Sequence, residues 1–191
     1  TPPLCAAAFN GNVEIVSLFL KKPFIDVNIQ NGKKQTPLTL AASSAHFTTF
    51  SLLFYTPGVN FDVKDMTNSN LVHSIAMQND TKIASMVLKV CGEDALNENI
   101  SPKGTPFHVA CMMGNIDVVK LFIERHDLHL NVQTTDGLTP LDQALRFYQI
   151  DVAKFLISST DAKATKIRLM QTKLKKKELY LNNIMKEIYE A

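Results

Sequence analysis

A short motif recurs along the chain at a nearly constant spacing. Its three clear versions are Thr36-Pro37-Leu38, Thr105-Pro106-Phe107 and Thr139-Pro140-Leu141, and its two degraded versions are Thr1-Pro2-Pro3-Leu4 and Asn70-Leu71-Val72-His73. Counted from Pro2, Thr36, Asn70, Thr105 and Thr139, the steps are 34, 34, 35 and 34 residues. A fixed period of this length is typical of repeat proteins, in which each unit packs on its neighbours.

The residues that follow each motif predict two short helices. A Thr before a Pro suits the start of a helix, because the hydroxyl can cap it and the Pro needs no hydrogen-bond donor there. An Ala-rich turn comes next, then a break such as Gly11-Asn12, then an apolar segment with helical spacing such as 116–123. Asn31-Gly32 and Asp136-Gly137 predict tight turns in the loops between repeats.

This pattern resembles the ankyrin repeat family over residues 1–157, most specifically at residues 105–110 and 114–123. The resemblance implies an all-α solenoid of five helix-turn-helix units with projecting loops and a concave face lined by the first helices. The third repeat departs from the family pattern with Asn70 and Leu71 in place of Thr and Pro. The fifth has Asp142 and Tyr148 where the family usually has His and Gly.

Residues 158–191 form a separate segment in which Ser158–Asp161 resembles a helix start. Apolar residues at heptad spacing predict a C-terminal amphipathic helix; they are Ile167, Met170, Leu174, Leu181, Ile184 and Ile188. From Asp161 onward, eight basic residues stand against four acidic ones. This helix is expected to cap the last repeat, to form a coiled-coil homodimer through residues 162–191, or to contact a membrane surface or a nucleic acid through its basic face.

Composition narrows the class of protein. Hydrophobic residues make up 46% of the chain and the net charge is +2, so the repeats can bury a core and show no general attraction to nucleic acid or membrane. No apolar run is long enough to cross a bilayer. Cys5, Cys91 and Cys111 are far apart and form no metal-binding or disulfide pattern, which favours reduced thiols in a cytoplasmic or nuclear protein.

No catalytic, cofactor-binding or metal-binding motif is present, so we expect no enzyme activity and no cofactor. His73 and His108 follow the repeat motif, where the resemblance implies that a His bonds to the backbone of the neighbouring loop. Cys111 is expected to be packed in its repeat. His126 and His129 lie in a loop without metal-ligand spacing and are expected to be solvated.

The resemblance implies that two residues of each first helix, seven and eight after the start of the repeat, face the concave groove. These ten residues are Phe9, Asn10, Ser43, Ser44, Met77, Gln78, Met112, Met113, Arg146 and Phe147. Five of them are Phe or Met, and apolar side chains on an exposed face are typical of a surface that binds another protein. In the alternative interpretations, the C-terminal helix fills the groove or these side chains pack against their own loops.

The tips of the projecting loops are a second candidate surface. It includes Lys33, Lys34, Gln35, Met66, Ser69, Lys103 and Leu138. We therefore expect a non-catalytic scaffold or adaptor that binds a protein or peptide on its concave face and loop tips. The alternatives are a regulatory or targeting part of a larger signalling enzyme, a structural spacer or dimerisation unit, and a secreted effector of an intracellular pathogen. The chain begins without Met, and we interpret it as part of a longer protein.

Overall fold

The computed structural model describes residues 1–159, and the predicted C-terminal helix lies outside this range. Residues 1–159 form eleven α-helices and no β-strand, and the only β-type pairing among them is a single bridge between Ile100 and Gly104. This confirms the all-α fold class.

Ten of the helices form five consecutive pairs. We call the first helix of each pair inner and the second outer. The inner helices are α1 (Pro3–Phe9), α3 (Pro37–Ser43), α5 (Leu71–Ala76), α8 (Pro106–Met113) and α10 (Pro140–Arg146). The outer helices are α2 (Val13–Leu20), α4 (Phe47–Phe54), α6 (Thr81–Val90), α9 (Ile116–Ile123) and α11 (Ile150–Ser159). The eleventh helix, α7 (Glu93–Asn97), lies between the third and fourth pairs.

The repeated Thr begins the inner helices as predicted. Thr36, Thr105 and Thr139 each accept a hydrogen bond from the backbone N–H three residues later, and each is followed by a Pro at the first helical position. These bonds satisfy donors that have no partner within the helix. Pro2 begins α1 without a side-chain cap, so the first repeat lacks this stabilising contact.

The turn between inner and outer helix uses a left-handed backbone in four of the five repeats. Gly11 and Gly114 have φ values of 70° and 77°, and Ala45 and Tyr148 have φ values of 56° and 60°. A Cβ added to Gly114 would lie 2.2 Å from the Gln149 side chain and would displace its amide from the Met112 carbonyl. Ala45 and Tyr148 adopt the same conformation without a glycine's freedom, which costs free energy.

One hydrophobic core runs through all five pairs. Each inner helix contributes fully buried small residues such as Ala42, Ala110 and Ala144, and these allow neighbouring helices to approach closely. Phe107 packs on Phe122 with ring centroids 5.9 Å apart, which joins α8 to its outer helix. The inner helices pack more closely together than the outer helices do, and we therefore expect the stack to be concave on the inner side.

The third repeat differs from the others through α7. Leu96 of α7 is fully buried in the core. The Asn70 amide donates hydrogen bonds of 2.9 Å to the Ala95 carbonyl and the Glu98 carboxylate. A Thr at position 70 has no second donor for these bonds. The departure from the repeat motif therefore anchors the additional helix.

The last outer helix is longer than the sequence indicated. The predicted repeat region ends at Ile157, but α11 continues to Ser159. The hydroxyl of Ser158 donates to the Phe155 carbonyl at 2.8 Å, so it bonds to the preceding turn and does not begin a new helix.

Candidate functional site

The carboxyl-terminal ends of the inner helices lie next to one another along one edge of the stack. Gln78 donates its side-chain amide to the Ser43 carbonyl at 2.7 Å, Asn115 to the Ala76 carbonyl at 2.8 Å, and Gln149 to the Met112 carbonyl at 3.1 Å. These carbonyls lie in the last turns of helices, where backbone acceptors lack intrahelical partners. Amides of one repeat therefore fix the helix ends of the preceding repeat.

Four large apolar side chains follow this edge. Each is the last residue of an inner helix or the residue directly after it. Their exposed fractions are 56% for Phe9, 46% for Met77, 45% for Met113 and 46% for Phe147. We call these four residues the apolar row. The second repeat interrupts it, because Ser43 and Ser44 occupy the corresponding positions.

The other predicted groove residues divide by exposure. Asn10 and Arg146 are exposed, and Arg146 directly precedes Phe147. Ser43, Ser44 and Met112 are half-buried. Gln78 is also half-buried, and its amide is bonded to the second repeat, so it contributes to the stack itself.

The projecting loops are bonded to one another. The Met66 N–H donates to the Lys33 carbonyl at 3.0 Å. The Lys103 ammonium donates to the hydroxyls of Thr67 at 3.0 Å and Ser69 at 3.2 Å. Since these bonds join consecutive repeats, the loops form a continuous surface.

The predicted loop-tip residues differ in how far the structure exposes their side chains. The side chains of Lys33, Lys34, Met66 and Lys103 are exposed. Ser69 is buried: its N–H donates to the Asp65 carboxylate, and its hydroxyl accepts from the Lys103 ammonium.

Gln35 and Leu138 are half-buried. The Gln35 side-chain oxygen accepts from Asn31 at 3.1 Å, and the Leu138 carbonyl accepts from His108. Both residues therefore stabilise their loops.

The two buried histidines join the loops to the inner helices, as predicted. His73 Nε2 lies 3.3 Å from the Gly104 carbonyl, and His108 Nε2 lies 3.1 Å from the Leu138 carbonyl. Burial lowers the pKa of His73 to about 4 against a smaller opposing effect of the Gly104 bond. Burial also lowers the pKa of His108. Both rings are therefore neutral near pH 7 and bond to successive repeats.

A cleft of about 900 Å³ opens beside α7 at the opposite end of the inner helices from the apolar row. Four carboxylates line it, those of Asp62, Glu93, Asp94 and Glu98, together with apolar residues that we call its floor: Phe61, Leu71, Val72, Val87 and Val90. We call this the acidic cleft. Lys64 and His129 also line it. Lys64 pairs with Glu98, and His129 Nε2 lies 3.4 Å from Glu93.

Cys91 also lines the acidic cleft. Its thiol lies 3.6 Å from the Arg125 guanidinium, which bonds to the Leu88 carbonyl and, at 3.2 Å, to the Cys91 carbonyl. Arg125 follows α9, so it joins the carboxyl-terminal ends of two neighbouring outer helices. Burial raises the pKa of the Cys91 thiol, while Arg125 acts in the opposite direction.

Neither α7 nor the acidic cleft was predicted from the sequence. Two signals indicate them in retrospect. The step from Asn70 to Thr105 is one residue longer than the others. Gly92 followed by Glu93 and Asp94 is typical of a helix start, because acidic side chains in the first turn interact favourably with the helix dipole.

Within residues 1–159, no helix is long and apolar enough to cross a bilayer. The same part of the chain holds no group of three His, Cys, Asp or Glu side chains arranged for a metal ion. His126 and His129 are exposed, and Cys111 is buried.

Comparison with known proteins identifies the repeats. The family model described as ankyrin repeats (3 copies) matches residues 1–65 and 72–167. Alpha-latrocrustotoxin-Lt1a from Latrodectus tredecimguttatus is 32% identical over 170 residues, which cover 81% of this chain. Human Rabankyrin-5 is 31% identical over 146 residues, or 75% of the chain. A putative ankyrin repeat protein of fowlpox virus, FPV031, is 27% identical over 164 residues, or 81% of the chain.

The matched segment is a small part of these relatives. It spans 12% of the length of the toxin, 12% of human Rabankyrin-5 and 46% of the fowlpox virus protein. The motif spacing, the helix pairs and the matched residues lead to one assignment: this chain belongs to the ankyrin repeat family.

Proposed function

We propose that this chain is a non-catalytic module that binds a segment of another protein along the apolar row. The observation that carries this proposal is the exposure of four large apolar side chains at equivalent places of successive repeats. Ankyrin repeats generally mediate protein–protein interactions, which supports a protein as the ligand. Exposed apolar side chains grouped in this way are typical of partner surfaces.

The row suits a partner with apolar side chains. Neighbouring helices pack about 8–10 Å apart, so Met77, Met113 and Phe147 present three anchoring positions at regular intervals. Met adapts its shape to the contacting surface, and Phe supplies a large rigid contact area. Arg146 is exposed beside Phe147 and would favour an acidic residue at that end of the bound segment.

The bonds between repeats support rigid presentation of this surface. The amides of Gln78, Asn115 and Gln149 hold the helix ends before any partner arrives. A preformed surface loses little conformational entropy on binding. The exposed loop-tip residues Lys33, Lys34, Met66 and Lys103 would supply selectivity at the other edge of the inner face.

A double variant of the full chain, Met113→Glu with Phe147→Glu, tests the proposal. Two charges in the row should weaken binding about 100-fold or more, because anchor residues of this kind contribute at least about 2 kcal/mol each. Partners are captured from cell lysate, identified by mass spectrometry and titrated in purified form. Circular dichroism checks that the helical content is unchanged.

The matched control is Leu18→Glu with Tyr55→Glu, which places the same charges on an exposed residue of α2 and on the exposed residue directly after α4. A partner that binds the wild type and the control but not the row variant supports the proposal. Equal binding to all three proteins would show that the row is not the site.

A second proposal rests on the coverage of the relatives, since the matched segment is about an eighth of two of them. The same surface would then serve as the regulatory or targeting part of a longer signalling protein. Sequencing the whole gene tests this: a catalytic domain in the same reading frame supports it, and a reading frame that holds only ankyrin repeats contradicts it.

A further inference from the structure

We propose that residues 170–177 of this chain bind in the acidic cleft, with their lysines against its carboxylates and their apolar side chains on its floor. This inference concerns a surface other than the apolar row and does not depend on the proposed function. It rests on the charge of the cleft, on the charge of the segment and on the place where the described chain ends.

The cleft carries an excess of negative charge. Its four carboxylates face one lysine, Lys64, which is paired with Glu98. Within residues 1–159, the side chains of Asp62 and Asp94 have neither an ion pair nor a hydrogen bond. The apolar residues of the lining give a ligand area to bury.

The segment has the complementary composition. From Asp161 onward the chain carries a net charge of +4, and the remaining residues carry −2. Lys173, Lys175, Lys176 and Lys177 concentrate this positive charge, and Met170 and Leu174 are apolar residues of the same segment. Such a segment can neutralise the carboxylates and cover the floor at the same time.

The chain leaves the stack on the side of the cleft. Arg125 shows that the carboxyl-terminal ends of α6 and α9 are adjacent, and α11 packs next in line against α9. Ser159 therefore lies about two helix spacings, or about 20 Å, from the cleft. The ten residues 160–169 can span about 33 Å when extended, so residues 170–177 can reach the cleft.

Covalent attachment favours this occupant over a separate molecule. A short flexible connection gives a tethered ligand an effective concentration in the millimolar range. A modest intrinsic affinity therefore suffices to keep the cleft occupied. The apolar row, at the other end of the inner helices, remains accessible to a partner while the cleft is filled.

Cys91 provides a native probe of the cleft. Cys91 lines the cleft and is half-buried, whereas Cys5 and Cys111 are fully buried. The rate at which iodoacetamide, a neutral reagent, alkylates each cysteine in the full chain can be measured by peptide mass spectrometry. A segment bound in the cleft slows the reaction of Cys91 and leaves the two buried thiols unreactive.

The test variant replaces the four lysines of residues 173–177 by Glu in the full chain. If the cleft is occupied nine-tenths of the time, Cys91 should react about tenfold faster in this variant. Raising the salt concentration to about 0.5 M should also speed the reaction of the wild type, because salt screens the attraction. The matched control replaces Lys21, Lys22, Lys82 and Lys120, which are exposed and do not line the cleft, by Glu and should keep the wild-type rate.

A charge exchange makes the test specific to the cleft. Glu93→Lys and Asp94→Lys, added to the four-Glu variant, should slow the reaction again. On their own, positive charges near a thiol favour the thiolate and speed alkylation, so slower alkylation indicates renewed contact with the segment.

Three outcomes would overturn the inference. The first is an unchanged Cys91 rate in the four-Glu variant. The second is protection that weakens when the protein is diluted, which would assign the cleft to a second copy of the chain. The third is alkylation of Cys5 and Cys111 in the variant, which would mean that the segment stabilises the whole stack.

Discussion

Backbone strain at single residues follows directly from the repeat geometry. Ala45 occupies the left-handed turn position that Gly11 and Gly114 fill in other repeats. A left-handed backbone costs a non-glycine residue about 1–2 kcal/mol. The second repeat therefore contains a local strain that one substitution can relieve.

Ala45→Gly should raise the free energy of unfolding by about 1 kcal/mol, because glycine adopts this conformation without the Cβ contact. Urea unfolding followed by circular dichroism measures the change. Ala42→Gly is the control: Ala42 is a buried residue within α3, and its replacement should lower the stability. A loss of stability in Ala45→Gly would contradict the strain argument.

The buried His73 makes stability depend on pH. Its pKa is lowered to about 4 in the folded chain, against about 6.5 when unfolded, so the unfolded state binds the proton more readily. Above pH 6.5 the neutral ring makes its full contribution to the free energy of unfolding. As the pH falls toward 4 the protein loses this contribution, which amounts to about 3 kcal/mol at most. Urea midpoints at several pH values should show this loss.

The variant His73→Gln removes the titrating group and should have a shallower decline between pH 6.5 and 4 than the wild type. The comparison concerns the slope of stability against pH, so a pH-independent loss of stability in the variant does not affect it. Parallel curves for the two proteins would mean that His73 does not take up the proton on unfolding.

Among the elements, α7 is the clearest departure from a regular repeat. It has only five residues, fewer than an isolated helix needs to be stable in water. Its stability must come from packing, and Leu96 is its buried contact. The Asn70 amide supplies the polar attachment.

Leu96→Ala should lower the free energy of unfolding by about 2–4 kcal/mol, since it leaves a cavity under a short helix. Denaturant unfolding measures the loss. Leu18→Ala, a change of an exposed residue of α2, should have an effect below about 0.5 kcal/mol. Equal effects of the two substitutions would show that α7 is not held by its buried leucine.

The helix pairs were predictable because their signals are local. Each of these signals acts within a single helix. They are a Thr that caps the backbone N–H three residues later, a Pro at the first helical position, and apolar residues with a period of 3.6. The position of Ser69 was not predictable in this way. Its burial depends on Asp65 within its loop and on Lys103, which is a full repeat away in the sequence.

At the scale of the whole molecule, two surfaces lie at opposite ends of the inner helices. The apolar row could be located from the sequence, because the family pattern assigns positions to the groove. The acidic cleft could not, since it arises where α7 meets the loop of the preceding repeat. Regular features of the stack, such as the apolar row, thus follow from the sequence of each repeat. Irregular features, such as the acidic cleft, depend on contacts between repeats.

The bonds between adjacent repeats also determine how the chain would respond to mechanical tension. Within residues 1–159, helix packing joins each unit to the unit before it and the unit after it. A force applied to the two ends would therefore detach one unit at a time, beginning with the first, whose inner helix has no side-chain cap. Each detached unit would release about 110 Å of extended chain. Such a molecule yields in steps and lengthens under load while its remaining units keep their shape.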